Sequence, residues 1–139
     1  MNENEKNNIT ETFKASLDSI FKEKLAQEKW RKKLEKFNAR VNLAVVCPPD
    51  EGAGAGAKED KIYLHIIADK GALSVEPGKL DDADFELAAS FEIFFNVATG
   101  DASAIKAMFS GALKTSGKVL KNISKLLFLQ KLLILEKQA

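Results

Sequence analysis

This chain of 139 residues is poor in the side chains that carry most protein chemistry, with one cysteine, one histidine, two arginines and three prolines. Cys47 alone excludes an intramolecular disulfide, and with His65 alone beside it there is no Cys/His set of the kind structural zinc requires. No metal site is expected. The same scarcity removes most nucleophile-plus-base catalysis, because the single imidazole lies in the apolar strand pattern Ile62-Tyr63-Leu64-His65-Ile66-Ile67 and reads as a sheet residue satisfied by a neighbour or water. Long apolar runs are absent too, so no transmembrane helix is expected. Met1 to Asn8 lacks the apolar core of a signal peptide, and Glu136-Lys137-Gln138-Ala139 is no peroxisomal tripeptide, which together give the expectation of a cytoplasmic protein.

Net charge is close to zero at +1, but it is unevenly spread. Residues 1–40 carry ten basic and seven acidic side chains, residues 41–100 four and eleven, and residues 101–139 seven and two. A basic final segment suits anionic lipid head groups or an acidic partner. With only Arg31 and Arg40, and no strong basic excess, nucleic-acid binding is not expected.

One domain of residues 9–139 follows from the length, after a polar segment 1–8 that reads as a disordered tail. Phe13, Leu17, Ile20 and Phe21 recur at helical spacing, and Leu25, Trp30, Leu34 and Phe37 continue that rhythm up to a strand from Val41 to Cys47. Pro48-Pro49 and the Gly/Ala-rich stretch Asp50–Asp60 form a hairpin connector to a second strand, Lys61–Ala68. The Asp69-Lys70-Gly71 turn leads to a short strand, Ala72–Val75, and completes an antiparallel meander. Phe85, Leu87 and Ala89 then alternate with polar or small neighbours as a half-buried strand, which Ser90 ends as the N-cap of a helix bearing Phe91, Phe94, Phe95 and Ala98. Gly100 closes that helix, Asp101 or Ser103 caps a short one through Phe109, Ser110–Gly117 reads as a last strand, and a final helix runs from about Lys118 to Glu136. Acid pairs such as Asp81-Asp82 and Asp84-Glu86 read as a solvated turn and the wet face of a strand rather than as catalytic pairs.

The final helix sets the functional question. Val119, Leu120, Ile123, Leu126 and Leu127 share one stripe, whereas Phe128, Leu129, Leu132, Leu133, Ile134 and Leu135 spread around nearly the whole circumference. Such a surface is buried on several sides, docks on a partner or membrane, or lines a ligand cavity. A five-stranded sheet faced on one side by helices is a shallow two-layer body, and large side chains that close loosely over it leave a tunnel between the layers.

Ser90-x-Glu92-x-Phe94, Thr99-Gly100, Ala104 to Met108 and Phe109-Ser110-Gly111-x-Leu113-Lys114-x-x-Gly117 before a long helix resemble the sterol carrier protein 2 family over residues 83–127. The resemblance implies an α+β fold with a mostly antiparallel five-stranded sheet, helices over one face, and an apolar tunnel for a sterol, fatty acid, fatty acyl-CoA or phospholipid. It brings no catalytic residue and no cofactor. Lys118 departs from it, standing after Gly117 where members often carry an acid.

On this reading the chain is a non-enzymatic lipid carrier whose pocket is lined by Phe94, Phe95, Phe109, Leu113, Ile123, Leu127 and Phe128. Lys118, Lys121 and Lys125 are the candidates to meet a carboxylate or phosphate at the tunnel mouth, and an anionic membrane surface is the expected transient partner. The alternative is a structural or regulatory module that dimerises or docks through Leu132, Leu133 and Leu135.

Overall fold

The computed structural model describes residues 3–47, 60–98, 104–117 and 121–133. Five strands form one sheet: β1 (Ala39–Cys47), β2 (Asp60–Asp69), β3 (Ala72–Pro77), β4 (Phe85–Ser90) and β5 (Lys114–Gly117). Their spatial order is β3-β2-β1-β4-β5. The β1–β2, β2–β3 and β4–β5 pairs are antiparallel, and β1 runs parallel to β4. Period-two alternation puts Val41, Leu43 and Val45 of β1, Leu64 and Ile66 of β2 and Phe85, Leu87 and Ala89 of β4 in the buried core. The turn into β3 takes a left-handed residue at each central position, Lys70 (φ 47) and Gly71 (φ 96), the backbone a two-residue hairpin demands.

Helices α1 (Glu3–Leu25), α2 (Glu28–Leu34), α3 (Phe91–Ala98), α4 (Ala104–Ser110) and α5 (Ile123–Leu133) complete the α+β fold. α1 lays Phe13, Leu17, Ile20 and Phe21 into the core, and its first turn begins at Glu3, six residues earlier than the apolar rhythm suggests. The segment expected to be a tail is therefore helical from Glu3 onward. Glu3 and Glu5 oppose the helix dipole favourably there, and Lys6 reaches Asp60 of β2 at 2.7 Å. As expected, Ser90 Oγ accepts the Ile93 N–H at 3.3 Å and caps α3. His65 Nδ1 lies 3.1 Å from the Gly78 carbonyl, so the ring is satisfied within the sheet.

β1 starts two residues earlier and β3 ends two residues later than the sequence reading, and two boundaries near the C-terminus shift further. The expected strand from Ser110 is confined to Lys114–Gly117, because α4 runs through Ser110 and the chain then turns at Gly111 (φ 83), with Leu113 N–H donating to Ala107 O at 3.0 Å. The final helix begins at Ile123 rather than at Lys118. The expectations for Pro48 to Glu59, Thr99 to Ser103, Lys118 to Leu120 and Ile134 to Glu136 fall outside the described residues.

Gly117 ends β5 at φ 87, and a Cβ there would stand 3.2 Å from Phe85 Cα across the β4–β5 pair. Gly117→Ala therefore meets both a left-handed backbone and a close strand. It is expected to cost about 1–3 kcal/mol, read as a shift in the denaturant midpoint with an unchanged slope.

Candidate ligand-binding cavity

An apolar cavity of ≈ 80 Å³ lies between the helices and the sheet. α1 contributes Phe13, Ser16, Leu17 and Ile20; the floor is Leu43 and Leu87, with Leu113 from the segment before β5. α3 supplies Phe91, Phe94, Phe95 and Val97, and α5 closes it with Leu126, Leu129 and Gln130. Phe13 meets Phe91 and Phe94 edge-on at 5.7 and 5.5 Å, which ties α1 to α3, and Phe91 stacks on Phe95 at 6.5 Å. Phe95 is 55% exposed and stands at the rim.

The chemistry of the lining is narrow. Among the described lining residues Ser16 and Gln130 are the polar members, and none carries a charge. Titrations displaced from their ordinary values occur elsewhere: burial pushes the Cys47 thiol up, and the hydrogen bond from Lys6 holds the Asp60 carboxyl down. Among the described residues no group of three or more His, Cys, Asp or Glu side chains could hold a metal, and no helix is long and apolar enough to cross a membrane. Pockets for drug-sized molecules run to about 300–1,000 Å³, so a long ligand requires side chains of α3 and α5 to turn aside.

Of the seven residues expected to line a pocket, Phe94, Phe95 and Leu113 do so. Phe109's side chain lies outside the described set. Ile123 and Leu127 point outward, 37% and 43% exposed, because α5 turns Leu126, Leu129 and Leu132 inward at three-residue spacing instead. Phe128 is on the opposite flank of α5, stacked on Phe37 at 4.2 Å and edge-on to Trp30 at 5.9 Å.

Neither described lysine of the three expected at the mouth lines the cavity. Lys118 is outside the described residues, and Lys121 is exposed beside the start of α5. Lys125 donates to Asp84 Oδ2 at 3.2 Å, and the same oxygen accepts the Arg40 N–H at 2.9 Å. Lys125 therefore anchors α5 to the sheet. Leu132, expected at a dimer contact, is fully buried and cannot make one; Leu133 and Leu135 have side chains outside the described set. The cavity residues that sequence reasoning missed come from every wall, and those of α1 are the largest group. Their helical spacing was visible, but the same spacing serves a helix that merely packs on a sheet.

The SCP-2 sterol transfer family matches residues 17–133 of this chain. Among solved structures, a crystal structure of sterol carrier protein 2 is similar at 20% identity, covering 86% of this chain and 92% of that one with a TM-score of 0.59. The sterol carrier protein domain 2 of Helicoverpa armigera is similar at 20% identity, with 88% of each chain covered and a TM-score of 0.62. A stereoselective inverting sec-alkylsulfatase from Pseudomonas sp. is similar over 77% of this chain but only 14% of its own, at 17% identity and a TM-score of 0.58. These likenesses concern the fold. A search of the curated proteins gives no match.

Proposed function

This chain belongs to the SCP-2 sterol transfer family, whose domain binds or transfers lipids without catalysis, and from that premise we propose that it carries a long apolar molecule with an uncharged polar head. The observation that supports this most is the cavity lining, in which, among the described residues, Ser16 and Gln130 are the polar groups and none is charged. Each methylene moved from water into such a site contributes ~0.8 kcal/mol. A hydroxyl or carbonyl finds a partner in the Gln130 amide, whereas a carboxylate loses hydration there with no cation among the described lining residues to replace it. Sterol-like alcohols and other neutral lipids therefore rank above free fatty acids and phosphate-bearing acyl compounds.

Loading takes place at an anionic membrane surface. α5 carries no acidic residue, and its outer side presents exposed Ile123 and Leu127 together with Lys131, with Lys121 just before it. The burial of Leu132 favours this carrier over the dimerising module.

Native mass spectrometry of protein purified from cells, joined to titrations with a fluorescent sterol and a fluorescent fatty acid, tests the proposal. Saturable sterol binding, about tenfold or more tighter than that of the fatty acid, is expected. No co-purified lipid and no saturable binding of either probe would end the carrier reading; equal affinities would end the preference for a neutral head.

A further inference from the structure

On the far flank of α5 from the cavity lies a second concavity, an open groove of ≈ 490 Å³ between α5, α2 and the start of β1. Its floor is the Phe37–Phe128 stack and its rim is Lys33, Lys36, Asn38, Ser124 and Lys125. We infer that this groove is a binding site for a phosphate ester, with the phosphoryl oxygens held by Lys36, Lys33, Asn38 and Ser124 and the ester's carbon part lying on Phe128. The site is separate from the cavity and does not depend on what the cavity carries.

The argument is the sign and kind of its polar groups. None of the described lining residues is acidic. The nearest carboxylate they touch, Asp84, is already engaged by Lys125 at 3.2 Å and by the Arg40 N–H. Asn38 is oriented by the sheet, since its Oδ1 accepts the Lys70 N–H at 2.9 Å, which leaves its NH₂ as a donor. Ser124 adds a hydroxyl from α5. Lys33 Nζ rests 4.9 Å over the Trp30 ring and keeps its ammonium donors for a phosphate. The groove thus offers ammonium groups, an amide and a hydroxyl, all able to donate, above an aromatic floor. Its complement is a compact anion with several acceptor oxygens and an apolar attachment, the chemistry of a phosphate ester. The surrounding sequence reinforces the potential, with Lys29, Arg31, Lys32, Lys33 and Lys36 against Glu28 and Glu35 in residues 28–36.

The test is an NMR titration with glycerol 3-phosphate, with glycerol as the uncharged control, on the wild type and on surface charge reversals. Saturable shifts centred on Asn38, Ser124 and Phe128, and absent with glycerol, are expected. The double variant Lys33→Glu/Lys36→Glu is expected to weaken binding about tenfold or more, whereas Lys121→Glu, equal in kind but outside the groove, changes it less than about twofold. Vesicles then identify the source. Binding to phosphatidylcholine vesicles containing phosphatidic acid that glycerol 3-phosphate competes away, and that the double variant loses, marks a lipid head group. Binding of the soluble ester without vesicle binding marks a free metabolite. The inference is overturned if neither probe gives binding that depends on Lys33 and Lys36, or if Lys121→Glu weakens the soluble ester as much as Lys36→Glu does. Phe94 and Leu126 resonances stay unshifted in this titration, so its outcome is read apart from ligand binding in the cavity.

Discussion

Leu132→Ala is expected to lower stability by about 2–5 kcal/mol and to leave the oligomeric state unchanged. The residue is fully buried and continues the inward line of α5 through Leu126 and Leu129, each of which is also almost wholly removed from solvent. Truncation leaves a void in a part of the core that α5, anchored at its other end by Lys125 and Asp84, cannot easily collapse into. For a domain of this size each kcal/mol moves the melting temperature by about 2–4 °C, so thermal denaturation should show a fall of several degrees or more. Sedimentation of the same sample separates the alternatives. A stable variant that loses a dimer present in the wild type would return Leu132 to the role of a docking residue; a destabilised variant of unchanged mass places it in the core.

Why the sequence misassigned that residue is a matter of pattern. The sheet was legible because alternation in β2 and β4 fixes which side chains face the helices, while β1 reads as a strand buried nearly throughout, and Lys70-Gly71 and Ser90 mark where strands stop. α5 offers no such contrast. Ile123, Leu126, Leu127, Phe128, Leu129, Leu132 and Leu133 cover so much of its circumference that several inward stripes fit the residues equally well, and only packing against α1, α3 and the sheet selects Leu126, Leu129 and Leu132. Of the head-group candidates, Lys125 has a structural partner that the sequence did not reveal. Lys125 was read as a solvated or ligand-facing lysine, but its partner Asp84 lies 41 residues away and only the tertiary fold brings them together. Phe94, Phe95 and Leu113 do border the cavity, although aromatic spacing on a helix fits core filling and a cavity wall equally well.

The cavity has an energetic cost that links stability to function. At ~24 cal/mol per Å³, a void of ≈ 80 Å³ left among Phe, Leu and Ile side chains forgoes about 2 kcal/mol of packing. A core selected for stability alone would be filled by one larger side chain, and Val97 is the position from which to fill it, half-buried on α3 and facing the void. Val97→Phe is expected to leave the fold as stable as the wild type or up to about 2 kcal/mol more so, since the added ring enters existing space. The same ring occupies room for two or three methylenes of ligand, worth ~2 kcal/mol, so affinity for a fluorescent sterol should fall about thirtyfold. Thermal denaturation and the sterol titration on one preparation read both effects. Two results count against the cavity as the binding site: sterol affinity unchanged in a Val97→Phe protein that melts normally, or equal loss on Lys36→Glu, whose side chain lies across α5 from the void. Ligand-induced stabilisation gives an independent reading, because sterol raises the melting temperature of the wild type by mass action and, at the same sterol concentration, should raise it much less once the ring is in place.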